Sequence, residues 1–404
     1  MDKINELLRR RVDSVYPTKK TLEKVLRSGK KIKVYLGIDP TAIRLHLGHT
    51  VPLRTLQSFA DLGHEAILLF GTGTVLVGDP SERATGRKLI TEKEIEKNIA
   101  TWKNQVKPII NFKKVKIKYN GNWLTKLTLK DLINLGSKIS AVQLFKRENF
   151  TRRIKAGDTV WYHETMYPLL QGYDSVVMNV DLEIGGTDQT FNMLVGRELQ
   201  KKINNKEKFV LTTKMILGTD GKQMSKTSGN CIWLTDTPED MYGKIMRVQD
   251  ELIADYFEFF TATPFGKIEE IKKLLAGSKT NPMNYKKLLA WEITKQFHNR
   301  EKANQAQEYF ERISQKRQLP GEIQVVDLSN LSTEDQDFFT ICKNIKIKDG
   351  AFKSNSEITR MIEQGGVRWN GQKITNPKLI IKKINNGDIW QWGKRVFRKM
   401  KIRK

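Results

Sequence analysis

Two short segments carry side chains suited to chemistry on phosphate. His46-Leu47-Gly48-His49 sets two imidazoles three residues apart. Pro52 is cheap only in the first turn of a helix, and Leu53, Leu56 and Ala60 continue at helical spacing until Gly63, so the predicted helix begins at the histidines. Free N–H groups and the positive end of the helix dipole favour an anion there, and two imidazole donors can hold phosphate oxygens as charge builds. Gly48 leaves room for a flat base against the backbone. A pair of capping histidines, or a chance metal pair, has the same spacing. Far downstream, Gly221-Lys222-Gln223-Met224-Ser225-Lys226-Thr227-Ser228-Gly229-Asn230 reads as a loop bounded by glycines, with Lys226 able to close over a departing pyrophosphate. Alone it reads as an ordinary basic surface loop; the order HxGH then MSK at this separation is what makes it specific.

A third constellation is Tyr167, Gln171 and Asp174, spaced by four and three and so on one helical face. Met166, Leu170, Val176 and Val177 around them are apolar. Such a face suits a recessed polar pocket, or a small buried hydrogen-bond cluster.

The elements that must position these groups follow from periodicity. In the first half, short apolar runs such as Lys33 to Ile38 and Glu65 to Gly71 alternate with amphipathic helical patterns, predicting an α/β fold with a doubly wound parallel sheet. This catalytic domain is read as residues 1–230, with an insertion near 111–162. Residues 231–318 read as helical: Thr237-Pro238 is a helix start, and Leu289, Ile293 and Phe297 recur at helical spacing. Residues 319–344, with Pro320-Gly321, read as a linker. The remainder, 345–404, reads as a small α+β domain. In it a helix from Ser356 to Gln364 stops at Gly365-Gly366, and strand Val367-Arg368-Trp369 turns at Asn370-Gly371 and returns through Ile374.

A length of 404 residues predicts two or three domains. The net charge of +26 favours a polyanionic partner, and the basic residues crowd the C-terminal end, where Arg360, Arg368, Lys373 and Arg395 are candidate RNA contacts. Cys231 and Cys342 stand far apart, outside any metal or disulfide pattern. The apolar run Ala66 to Val77 is too short and broken to span a membrane. With no secretory signal at the N-terminus, the expected compartment is the cytoplasm.

The two signatures, in this order, resemble the HIGH-like and KMSKS-like motifs of class I aminoacyl-tRNA synthetases. Within that class the chain is similar to the bacterial-type tyrosyl-tRNA synthetases through Tyr35-Leu36-Gly37-Ile38-Asp39-Pro40-Thr41, Gly78-Asp79-Pro80-Ser81, Tyr167-Pro168-Leu169-Leu170-Gln171-Gly172-Tyr173-Asp174 and Gly185-Gly186-Thr187-Asp188-Gln189. The terminal helix and hairpin resembles an S4 RNA-binding domain, so the likeness covers nearly the whole chain.

The resemblance implies a Rossmann-like catalytic domain that activates tyrosine with ATP and transfers it to tRNA(Tyr). It implies that Tyr35 and Asp174 read the phenolic hydroxyl, while Asp79, Tyr167 and Gln171 hold the ammonium. Thr41, His46, His49 and Lys226 would meet the ATP phosphates, and Gln189 the reacting carboxyl. Gly37, Asp39, Gly48, Gly186, Asp188, Met224 and Ser225 would line the rest of the ATP site. Magnesium would arrive with ATP, no structural metal is implied, and the segment 111–162 would form a homodimer contact.

Two positions depart from the pattern. Gln223 stands where the signature opens on lysine, with Lys222 beside it, and Leu36 stands where some members have cysteine. Arg83 or Arg87 in the basic loop 82–88 is a further candidate for pyrophosphate. A tryptophan-specific synthetase shares the fold and both motifs but is disfavoured by Tyr35, Asp174 and the S4-like end. A non-catalytic RNA binder derived from a synthetase is opposed by the retained His46, His49 and Lys226.

Overall fold

The computed structural model describes residues 2–79, 91–225, 228–277, 280–315, 323–329, 334–393 and 396–402. Lys226, Arg395 and the loop holding Arg83 and Arg87 lie outside them. The chain divides into two compact units, Met1–Ala303 and Asn304–Lys404.

The first unit is built on six strands: β1 (Val12–Tyr16), β2 (Lys33–Ile38), β3 (Glu65–Phe70), β4 (Val115–Tyr119), β5 (Leu182–Gly186) and β6 (Phe209–Thr213). They lie in the order β1-β6-β5-β2-β3-β4. All neighbours are parallel except β1, which runs antiparallel to β6. Parallel strands must be buried on both faces by their crossover helices, and Ala66 to Phe70 are all buried. The order reverses between β2 and β5. In such sheets a ligand crevice opens beyond the carboxyl ends of the two strands flanking the reversal.

The crossover from β2 to β3 is the helix Thr50–Asp61, which buries Val51, Leu53, Leu56, Phe59 and Ala60 and ends before Gly63 at φ 90°. The helix Tyr162–Met178 leads into β5, and Thr190–Asn204 leads out of it. These two pack closely: a Cβ on Gly172 would lie 3.0 Å from the Gly196 Cα, so each glycine is the space the other needs.

The helical region follows its sequence pattern. Thr237 caps the helix Pro238–Ile245 by accepting from Asp240 N–H, and Leu289 and Ile293 of Pro282–Phe297 are buried. From Asn304 the chain counts with the second unit, but as far as Ala303 the helical region belongs to the same compact unit as the sheet. Arg10 and Arg11 tie the two together by donating to the carbonyls of Phe257, Glu258, Phe259 and Thr261, at the end of the helix Ile253–Phe260, where the helix dipole is negative.

Two boundaries read from sequence are corrected. The segment 111–162 is no plain insertion, because its first part is β4, an edge strand paired with β3. The segment 319–344 is no plain linker. It holds β7 (Gln324–Asp327), β8 (Glu334–Asp337) and the start of the helix Phe338–Lys348, whose Phe338, Ile341, Cys342 and Ile345 are core residues of the second unit. Polar loop-like composition concealed these short strands, of which β7 buries only Val326.

The second unit completes itself with β9 (Val367–Trp369), β10 (Gln372–Ile374), β11 (Ile380–Lys383), β12 (Ile389–Trp392) and β13 (Val396–Lys401), in the sheets β10-β9-β12-β13-β7 and β11-β8. The helix Asn355–Glu363 and the hairpin through Asn370 (φ 48°) and Gly371 (φ 82°) stand where the sequence placed them.

Candidate active site

The first signature follows β2 into the crevice. The loop after Ile38 is pinned from the helix Glu92–Val106: Asn98 Nδ2 donates to the Pro40 carbonyl at 2.8 Å and Trp102 Nε1 to that of Ala42 at 2.6 Å. Thr41 N–H closes on the Asp39 carbonyl at 2.8 Å. His46 and His49 then flank a single 3-10 turn that leads directly into Thr50–Asp61. Gly37 is exposed just after the buried centre of the strand, Val34 to Leu36, which leaves backbone open to a ligand.

The second signature meets the first. Leu47 N–H donates to the Ile232 carbonyl at 2.9 Å, Leu234 N–H to that of Leu45 at 2.9 Å, and His46 forms an antiparallel bridge with Trp233. Arg44 locks the pairing, lying over the Trp233 ring at 4.8 Å and donating to Thr235 and Asp236. Met224 is buried, and a Cβ on Gly48 would lie 3.8 Å from its Sδ and 3.0 Å from the His46 ring. A side chain at position 48 would therefore press on the His46 ring. Asn230 shapes the loop from inside: its Oδ1 accepts from Ser225 N–H and Ser228 Oγ, and its Nδ2 donates to Asp220 and to the Gln223 carbonyl. Lys222 and Gln223 are exposed.

The three residues Tyr167, Gln171 and Asp174 of Tyr162–Met178 each reach different partners. Tyr167 Oη donates to Asp39 Oδ2 at 2.9 Å, while Thr74 Oγ1 donates to Asp39 Oδ1 at 2.7 Å. Asp39 thus anchors Tyr167. Gln171 Nε2 donates to Glu183 at 3.0 Å. Asp174 accepts from Asn120 Nδ2 at 3.0 Å and Trp123 Nε1 at 2.8 Å, yet burial still pushes its pKa up to about 8. Tyr35 is fully buried, with its hydroxyl 2.9 Å from Ser175 Oγ. Burial foremost, then the Glu183 charge, raises its pKa well above the ordinary phenol value.

Asp79 and Gln189 also come together, Gln189 Nε2 donating to Asp79 Oδ2 at 2.6 Å and to Asp188 Oδ2 at 2.8 Å. Buried Arg147 approaches the other Asp79 oxygen at 3.4 Å. A Cβ at Gly186 would lie 2.3 Å from Asp188 Oδ1 and would displace that carboxylate. Burial raises the Asp188 pKa. Among the described residues no group of three or more His, Cys, Asp or Glu is placed to hold a metal ion.

Sequence reasoning missed Asn120, Trp123, Arg147, Ser175, Glu183 and Lys208. Asn120 and Trp123 follow the carboxyl end of β4, where polar residues in open sheets face the crevice, and that signal could have found them. In the second unit Arg360, Arg368 and Lys373 are exposed. Arg368 and Lys373 are cross-strand partners on β9 and β10, and Arg368 Nη1 donates to the Gly371 carbonyl at 2.9 Å.

A switch-point crevice with an HxGH turn at its edge and Met224 of the second signature beside that turn is the arrangement of the catalytic core of a class I tRNA synthetase. In agreement, the family model described as tRNA synthetases class I (W and Y) matches residues 27–315. The Tyrosine--tRNA ligase of Thermotoga maritima is 39% identical over 393 residues, covering 97% of this chain and 96% of that one. That of Haemophilus influenzae is 39% identical over 398 residues, covering 98% and 96%. The chain belongs to the tyrosine–tRNA ligase family within the class I (W and Y) synthetases. Its fold resembles a C-terminally truncated mitochondrial tyrosyl-tRNA synthetase of Aspergillus nidulans (TM-score 0.65, 21% identity, 76% of this chain and 92% of that one). It also resembles the tyrosyl-tRNA synthetase of Archaeoglobus fulgidus complexed with L-tyrosine (TM-score 0.61, 19% identity, 76% and 100%).

Proposed function

We propose that the protein activates tyrosine with ATP, releasing pyrophosphate, and transfers the tyrosyl group to tRNA(Tyr). The observation that supports the reading is the pairing of Leu45 to Leu47 with Ile232 to Leu234, just after the second signature, together with the approach of Met224 to Gly48. The substrate carboxylate is already a nucleophile toward the α-phosphorus, so positioning and charge stabilisation supply most of the acceleration. His46, His49, Thr41 and Lys226 act on the phosphates. Gly37, Gly48, Gly186, Asp188, Met224 and Ser225 line the nucleotide site, with Gln189 at the reacting carboxyl. Asp39 serves this site by anchoring Tyr167.

Asp79, Tyr167 and Gln171 hold the ammonium, and Tyr35 and Asp174 the phenol. A buried carboxylate left without its hydroxyl partner rejects phenylalanine; the handling of phenylalanine by tyrosyl enzymes is itself the standard illustration of this effect. Magnesium enters as part of the ATP substrate. Arg360, Arg368, Lys373 and Arg395 contact tRNA, the working form is a homodimer, and the compartment is the cytoplasm.

Amino-acid-dependent exchange of pyrophosphate into ATP, run with tyrosine, tryptophan and phenylalanine, tests this. Exchange with tyrosine alone is expected. Exchange with tryptophan instead, or with none, overturns the reading.

A further inference from the structure

Behind the pocket lies a buried ion pair that the reaction as described does not use. Lys208, at the start of β6, is completely buried and bonded to Glu183 of β5, itself 2% exposed. Burying an ion pair this deeply costs several kcal/mol of desolvation per ion before attraction offsets it, so its stabilising value alone is a weak reason for it.

Glu183 touches both ends of the pocket. One oxygen, Oε1, accepts from Gln171 Nε2 at 3.0 Å. A carboxylate only accepts, so the Gln171 amide is held with its nitrogen toward Glu183 and its carbonyl oxygen turned away. That oxygen is buried and has no hydrogen-bond partner among the described residues. An orphan acceptor beside a pocket calls for a donor from a ligand, and an ammonium is such a donor.

The other oxygen, Oε2, takes the Lys208 ammonium, which also donates to Ser175 Oγ at 2.5 Å. Lysine can only donate. Ser175 therefore accepts from Lys208, and its own proton has two takers, Tyr35 Oη at 2.9 Å and Glu183 Oε2 at 3.5 Å. The nearer is Tyr35. Once Tyr35 accepts from Ser175, its own proton is free to point elsewhere. Trp123, which holds Asp174, packs against the apolar cluster that contains Tyr35.

We propose that Glu183 and Lys208 are positioning residues that set hydrogen-bond polarity at both ends of the amino-acid pocket, presenting the Gln171 carbonyl to the ammonium and the Tyr35 proton to the phenolic oxygen. This rests on the tyrosine reading above.

The test uses the full chain and pyrophosphate exchange. In Glu183→Gln the amide can face Gln171 with either end, so KM for tyrosine rises about tenfold, one ordinary hydrogen bond, while kcat stays within about threefold. Inhibition by tyramine, which keeps the ammonium, weakens in parallel. Inhibition by 3-(4-hydroxyphenyl)propionate, which lacks it, does not. In Lys208→Met the ratio of kcat/KM for tyrosine over phenylalanine falls about tenfold. Each single variant leaves a buried group unpaired, so the double variant Glu183→Gln with Lys208→Met is measured too. Its thermal stability recovers because no buried charge remains, but both defects persist. Tyrosine kinetics like the parent's in the double variant overturn the proposal, as does equal weakening of tyramine, hydroxyphenylpropionate and phenylalanine. A parent protein that exchanges with no tyrosine overturns the tyrosine reading and this proposal with it, an outcome distinct from an active parent with unaffected variants.

Discussion

His49 Nδ1 faces the backbone N–H of His46 at 3.1 Å, and the two ring centroids are 3.8 Å apart. With Nδ1 accepting, the neutral ring carries its proton on Nε2, which makes that nitrogen a donor. A preorganised donor that meets charge only as it develops contributes to the transition state and little to ground-state binding. His49→Ala is therefore expected to lower kcat of adenylate formation by roughly a hundredfold and to leave the tyrosine Kd nearly unchanged. Pre-steady-state adenylate formation beside equilibrium tyrosine binding measures both; equal losses contradict the assignment.

Asp174 provides a pH signature. Its pKa stands at about 8 because of burial, and the ionised carboxylate proposed to take the phenolic proton is a stronger acceptor than the protonated acid. Below that value the ionised fraction falls about tenfold per pH unit. Tyrosine affinity should thus climb between about pH 6 and pH 8 and level off above, whereas phenylalanine, having no hydroxyl, should show no such slope. Isothermal titration at half-unit intervals reads it, and a flat tyrosine profile removes Asp174 from phenol recognition.

Trp123 should control where that profile sits. Its indole N–H donates to Asp174 Oδ1 at 2.8 Å and favours the ionised form. Trp123→Phe keeps the ring and removes the donor, so the midpoint moves to higher pH, by about one unit for a hydrogen bond to a charged group. Near pH 7.5 the KM for tyrosine rises accordingly. A midpoint that stays put shows the bond to be incidental.

The outline of this pocket was legible in the sequence, because Tyr167, Gln171 and Asp174 announce a shared face through their spacing. Their partners were not. Glu183 sits inside the apolar run Leu182 to Gly186 and Lys208 is one basic residue in a chain of net charge +26, so nothing local distinguishes them from solvated charges. Only the β5–β6 pairing brings them behind Tyr35. The same holds for strand β7, whose single buried residue Val326 gives no periodicity to read. By contrast, the hairpin around Asn370-Gly371 was legible almost to the residue, since its turn requires positive φ at both positions.

Asn230 organises the signature loop by contacting Ser225, Ser228, Asp220 and Gln223. Asn230→Ala removes these contacts at once and leaves the loop backbone without its inner partner. On the proposal that the loop acts on pyrophosphate and not on tyrosine, kcat for exchange should fall by about tenfold or more with tyrosine affinity unchanged. A variant that loses tyrosine affinity in proportion has disturbed the whole unit, which contradicts a role confined to the loop.

The second unit offers a separable prediction. A truncation from Ile345 onward cuts the helix Phe338–Lys348 and exposes the core residues Phe338, Ile341 and Cys342, so it confounds unfolding with loss of function. Charge removal avoids this. Arg360, Arg368 and Lys373 are exposed, so their triple replacement by alanine spares the core. If each neutralises one RNA phosphate, the slope of log K against log salt for tRNA becomes shallower by about 2 to 3. Pyrophosphate exchange, which needs no tRNA, stays at the parent's rate. An unchanged salt slope removes this face from tRNA binding, and a fall in exchange contradicts the division of labour between the two units.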